Sequence, residues 1–203
     1  MSQNNSFVKA ISLIDAANAE DPNQEVVDGR DCPKELLYSQ RMSDMLERYA
    51  PDSDEANKLA VRAQHIERWK SPRDAYPAGR KGYLHWRKDL YKFHAETAAG
   101  LLAQAGCSEE TIERVSQAVN KKGLKSNSDT QLLEDVIGLV FIEHYMEGFA
   151  ARHPEYEEAK WLDIIRKTWR KMTPRANEFA LSGNIQLPEA LIPLIQKAVS
   201  GDS

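Results

Sequence analysis

The chain has 203 residues, 41% hydrophobic and 29% charged, with a net charge of −4. That is long enough for one core burying about 70% of the unfolded surface, and the balance gives no global drive toward nucleic acid or membrane. Two cysteines, Cys32 and Cys107, exclude a disulfide scaffold, a multi-cysteine zinc module and a CxxC redox pair.

The mean hydropathy is −0.60. The longest apolar run, Val136 to Ile142, falls far short of the ~20 residues a bilayer span needs. MSQNNSFVK has no basic patch followed by an apolar core, so no secretory signal is read, and a cytoplasmic location is expected.

Helix signals dominate. Ser6 is placed to cap a first helix whose Phe7, Ile11, Leu13 and Ile14 recur at helical spacing. Asp21 to Arg30, DPNQEVVDGR, reads as a loop. Asp31-Cys32-Pro33 opens a second helix that runs to about Tyr49. A third covers about Asp54 to Trp69, followed by a Pro-containing loop from Ser71 to Gly82. The fourth is long, about Tyr83 to Ala105, with Tyr83, Trp86, Leu90, His94, Thr97 and Leu101 on one face. Gly106 ends it, Ser108 caps a fifth, and the fifth stops near Lys122. Ser128 and Gln131 suggest a capping box for a sixth helix.

From Leu132 to Ile142 that sixth helix reads LLEDVIGLVFI, apolar nearly all round, as a central buried helix would be. An amphipathic helix from about Glu155 to Met172 follows, and LPEALIPLI can form a short helix docking on the body. No period-2 strand is evident. The expected fold is all-α: a helical core over residues 1–152, with C-terminal helices over 153–203 packing on it.

Glu134 and Asp135 are the first candidates for chemistry. Adjacent helical residues point about 100° apart, so at least one carboxylate faces the interior or its edge. A buried carboxylate without a partner costs several kcal/mol. A metal, a cation or a histidine should compensate; a plain buried salt bridge would do so equally. His65, in AVRAQHIERW, and His94, in YKFHAET, sit on or beside inward faces. Each alone reads as a hydrogen-bonded core histidine. Together with the acidic pair, on three helices, they suit a divalent metal ion with oxygen and nitrogen ligands.

A basic, aromatic stretch runs from Arg62 to Lys92, with nine Lys or Arg against three acids. It points to an anionic small-molecule substrate, such as a phosphate ester or nucleotide, bound by Arg68, Arg73, Arg80 and Arg87. A solvated helix face would look the same. Gly79-Arg80-Lys81-Gly82 leads into the fourth helix, where backbone amides can hold a phosphate. GxxxxGK[ST], GxSxG and HExxH are absent.

The run RAQHIERWKSPRDAYPAGRKGYLHWRKDLYKFHAE, followed by LLEDVIGLVF, resembles the family named domain of unknown function 4202 over about Phe7 to Met172. That name implies no activity. Some of its members carry a glutamyl-tRNA synthetase label, but this chain has neither a HIGH nor a KMSKS nucleotide signature.

A fainter resemblance is to the HD superfamily of metal-dependent phosphohydrolases. These are all-α and hold metal with a histidine on one helix, a His-Asp pair on the next, and an aspartate on a later buried helix. Gln64-His65 and Leu133-Glu134-Asp135 resemble parts of that pattern. The His-Asp doublet is missing, and no histidine stands on the second helix, where Glu35, Tyr38 or Ser39 would have to serve.

The expected function is therefore a metal-dependent hydrolase of a phosphorylated or nucleotide-like small molecule. His65, His94 and Asp135 would hold the metal, with Glu134 as a further ligand or general base. The alternative is a non-catalytic helical module that binds RNA or a protein partner. A third reading is a homodimer joined through Trp161, Ile165, Trp169 and Met172.

Overall fold

The computed structural model describes residues 3 to 200. Ten α-helices and one small hairpin make up an all-α fold: α1 (Gln3–Ala19), β1 (Gln24–Val27), β2 (Arg30–Pro33), α2 (Lys34–Tyr49), α3 (Glu55–Ala63), α4 (Gly79–Ala105), α5 (Glu109–Val119), α6 (Ser128–Val140), α7 (Met146–Ala151), α8 (Glu158–Lys171), α9 (Pro174–Leu181) and α10 (Ile192–Ser200). Among the described residues, no helix is long and apolar enough to cross a membrane.

The second helix shows how local chemistry sets the frame. DPNQEVVDGR is not a plain loop: β1 and β2 pair antiparallel with Val27 opposite Arg30. The turn residues Asp28 and Gly29 both have positive φ, 50° and 74°, which the Asp-Gly dipeptide favours in a two-residue hairpin turn. Pro33 precedes α2 and supplies no side-chain cap. Asp21 does so from a distance. Its Oδ2 accepts from the Glu35 amide at 3.0 Å and its Oδ1 from the Asn23 amide at 2.9 Å. One carboxylate thus satisfies an orphan donor of the helix and fixes the hairpin to it.

α1 already begins at Gln3, so Ser6 is not its cap. α3 ends at Ala63, well before Trp69. The chain then turns through Glu67, whose φ is 49° and whose amide is held by Asn18 Oδ1 at 3.1 Å. This turn places His65 and Arg68. α4 begins at Gly79, earlier than the apolar pattern shows. Gly82 lies in its first turn because a Cβ there would fall 1.9 Å from the Pro77 carbonyl oxygen. The capping residue of α6 is Asn127, which accepts from the Asp129 and Thr130 amides at 2.9 and 3.1 Å. Ser128 is instead the first helical residue.

α6 runs through the centre of the molecule. Leu133, Val136, Leu139 and Val140 are wholly buried and belong to one continuous core with residues from α1 to α10. Its helix passes through a π turn, Phe141–Tyr145, into α7. α8 packs on α6 and α10. Trp161, Ile165, Trp169 and Met172 are therefore buried within the chain, and this face is not free to join a second copy. α9, which had no clear signal in the sequence, docks on α6 after the Thr173 cap.

Candidate functional site

α2, the turn after α3, α4, the end of α5, α6 and α8 converge on one cavity of roughly 680 Å³. Helical periodicity explains its lining. α2 turns Lys34, Glu35 and Tyr38 inward. α4 contributes a stripe containing Trp86, Arg87, Leu90 and His94, with Tyr83 and Tyr91 beside it. α8 gives Ile164, Lys167, Thr168 and Lys171. All follow the i, i+3, i+4, i+7 spacing of one helix face. Phe141 and Tyr145 of the π turn and Phe149 of α7 line the same space.

The walls are aromatic and the polar groups are cationic. Lys34, Arg68, Arg87, Lys121, Lys167 and Lys171 line the cavity against two carboxylates, Glu35 and Glu134. Arg68 lies over the Trp86 ring at 5.3 Å, and the Trp86 indole donates to the Ser71 carbonyl at 3.0 Å. Arg87 donates to the Tyr83 hydroxyl at 2.9 Å and covers the Tyr91 ring at 5.0 Å. Such stacking holds a guanidinium in place without neutralising it, so its charge remains available to a ligand.

Glu35 enters the sequence reading only, with Tyr38 and Ser39, as a stand-in for a missing histidine. Its side chain is 7% exposed, with Oε2 3.3 Å from His65 Nδ1 and Oε1 3.9 Å from Arg68 Nε. Burial pushes its carboxyl up to about 7, against the opposing pull of Arg68. The His65 ring stacks on Tyr38 at 4.1 Å and stands 5.7 Å from the His94 ring. Burial and the nearby Arg68, Lys121, Arg87 and Lys34 hold His65 well below the usual histidine range. His94 falls to about 2 through burial, aided by His65, Arg68 and Lys121. Its Nε2 is buried and has no hydrogen-bond partner, as is true of Gln64 Oε1. Both residues line the cavity. Near pH 7, two neutral imidazoles and a half-protonated carboxyl thus lie together, the combination general acid–base chemistry uses.

Glu134 and Asp135 part company. Glu134 faces the cavity, where Lys121 Nζ lies 2.8 Å from one oxygen and Lys171 Nζ 3.5 Å from the other. Burial pulls its carboxyl up, but the two ammonium groups outweigh that and hold it below the ordinary value. Asp135 points away from the cavity and is not part of the lining. Its carboxylate accepts from the Tyr49 hydroxyl at 2.9 Å, Gln131 Nε2 at 3.0 Å, the Thr173 amide at 2.7 Å and the Thr173 hydroxyl at 2.6 Å. It joins α2, α6 and the start of α9.

Of the sequence candidates, His65, His94, Glu134, Arg68 and Arg87 therefore meet in one cavity, and Asp135, Arg73 and Arg80 do not. Arg73 donates to the Tyr76 and Pro77 carbonyls, both at 3.0 Å, and closes its own loop. Arg80 is exposed on the first turn of α4.

The structure does not bring the expected ligands His65, His94 and Asp135 together, because Asp135 lies outside the cavity. Among the described residues, no three His, Cys, Asp or Glu side chains come together to hold a metal ion. Asp135 is committed to its four donors, and Glu134 is neutralised by two lysines. A dication would also enter a space already lined by six cationic side chains.

The whole of this lining lies inside a match to a family model. The model, described as domain of unknown function (DUF4202), matches residues 8–195. The chain belongs to that family. The DUF4202 match takes in every element from α2 to α8 that contributes to the cavity. No curated protein and no solved structure shows a significant match.

Proposed function

We propose that this DUF4202 chain binds a phosphorylated, ring-bearing small molecule, nucleotide-like in its chemistry, and moves a proton on it with the Glu35–His65 pair. The observation that carries this reading is the cavity itself, an aromatic pocket with six cationic side chains and two carboxylates in a chain whose net charge is negative. Drug-sized ligands occupy apolar cavities of about 300–1,000 Å³ with a few placed polar groups. The aromatic walls suit a planar ring, and the surplus of cationic side chains suits a phosphoryl group. Glu35, protonated at its raised value, would donate to a leaving oxygen. Neutral His65 would take a proton from an attacking hydroxyl or water.

An RNA-binding module accounts for fewer observations. Only part of the basic stretch is open surface: Arg80, Lys81, Lys88 and Lys92 are exposed on α4. Arg62 is paired with Asp15 at 2.7 Å, Lys70 with Glu67 at 2.6 Å, and Arg73 with loop carbonyls, while Arg68 and Arg87 turn inward.

A thermal-shift panel tests the proposal: nucleoside monophosphates and sugar phosphates, each beside its dephosphorylated counterpart. A ligand at 100 times its Kd stabilises the fold by about 2.7 kcal/mol, a shift of roughly 5 °C or more for a domain this size. At least one phosphorylated compound should give such a shift and its dephosphorylated partner should not. A panel in which no phosphorylated compound protects the protein overturns the reading.

A further inference from the structure

We infer that Lys121 and Lys171, held on either side of Glu134, form the phosphate-binding subsite of the cavity. The inference rests on the reading above and adds where the phosphoryl group sits.

It begins with an anomaly in the backbone. α5 ends in a Schellman motif, with the Lys122 amide donating to the Gln117 carbonyl and the Lys121 amide to the Ala118 carbonyl, both at 3.0 Å. The residue between these bonds must adopt left-handed geometry, and glycine usually supplies it. Here it is Lys121, at φ 59°, while the next glycine comes two positions later. The unfavourable backbone state aims a long side chain inward, and that side chain is only 11% exposed. Strain of this kind persists where the surroundings fix it, and functional sites are where it collects.

The ammonium so placed is incompletely satisfied. It can donate three hydrogen bonds, yet Glu134 Oε2, at 2.8 Å, is its one ionic partner among the described residues, so part of its donor capacity is unused. Burial, offset by Glu134 but reinforced by Lys171 and Arg87, holds its pKa below that of an ordinary lysine. Two ammonium groups on one carboxylate leave a surplus positive charge, and Arg87 adds to it. An excess charge in a buried site is costly until a counter-charge arrives. A phosphomonoester dianion supplies that charge and also the acceptors that the Lys121 ammonium lacks. Lys171, half-exposed at 52% and 3.5 Å from Glu134, is free to swing onto the same group. Glu134 is then a positioning residue that keeps both amines at one point.

The test uses the full chain and inorganic phosphate as the probe, with Lys121→Gly, Lys171→Met and the exterior control Arg80→Ala. Lys121→Gly is the informative variant, because glycine favours the left-handed cap and Lys171 still pairs Glu134. Its fold should survive while its ammonium is gone. The phosphate affinities of Lys121→Gly and Lys171→Met should fall at least tenfold, and that of Arg80→Ala should not move. If a phosphorylated ligand protects the wild type and both lysine variants alike, the subsite is wrong and the cavity reading stands. If neither phosphate nor any phosphorylated ligand binds the wild type, both fall together. If Lys121→Gly fails to fold, the Lys171→Met arm decides the matter by the same criterion.

Discussion

Glu35 carries the clearest residue-scale consequence. Its folded pKa is about 7 against an ordinary 4.5, so the folded state binds its proton more tightly than the unfolded state. The stabilisation is complete below about pH 4.5 and is lost as pH rises through 7. A shift of that size corresponds to at most about 3 kcal/mol. Glu35→Gln removes the titrating group while keeping its shape. Urea melts from pH 5 to 8.5 should show wild-type stability falling across that range more steeply than that of Glu35→Gln. Parallel profiles would mean that Glu35 titrates normally. Asp135 gives the opposite kind of prediction. Asp135→Asn turns an amide toward groups that donate to the carboxylate, which costs about 2–4 kcal/mol. Chemical denaturation should show that loss, with ligand affinity unchanged in the folded protein. A loss of binding with stability intact would return Asp135 to the site.

At the scale of elements, helix faces and helix ends decide what reaches the cavity. Glu134 and Asp135 are neighbours in sequence, yet their 100° separation on α6 sends one to the cavity and the other to the α9 cap. The sequence shows that one must be inside; which one depends on helices whose packing angles are not local. The glycines of α4 make the same point. Gly82→Ala would drive a Cβ into the Pro77 carbonyl, and a thermal melt should show a loss of at least about 2 kcal/mol. Gly100→Ala meets nothing within 4 Å and should stabilise by up to about 1 kcal/mol through helix propensity. Equal effects at the two positions would contradict the described start of α4.

What the sequence concealed at this scale has physical causes. The β1–β2 strands have four residues each, too few for alternation to stand out, and only Asp28-Gly29 marks the hairpin. Lys121 carries no pattern of its own. Its role arises from the left-handed cap of α5, visible beforehand only as a helix end lacking its glycine. Glu35 lies in the first turn of α2, where its sequence neighbours do not show whether it points inward. Distant Asp21 settles how that turn is anchored.

At the scale of the whole molecule, the all-α class was legible because amphipathic periodicity extends over long helices. The convergence of these segments on one cavity was not. It joins residues from Lys34 to Lys171, and no local spacing records it. Which of the histidines and carboxylates on separate segments meet was likewise not local: His65, His94 and Glu134 share the cavity, and Asp135 does not. The basic stretch also divides between surface cations, of which Arg62, Lys70 and Lys92 are ion-paired, and the inward-facing Arg68 and Arg87. The helical fold concentrates positive charge in an aromatic cavity, while the rest of the chain is acidic on balance.

The central claim is that this interior selects its ligand by the phosphoryl group. The direct measurement is calorimetric titration of the wild-type chain with the best phosphorylated ligand from the thermal panel and with its dephosphorylated form. One saturable site, with affinity at least tenfold weaker for the dephosphorylated form, is the predicted result. Equal affinity for the two forms, or heats that never saturate, would contradict it.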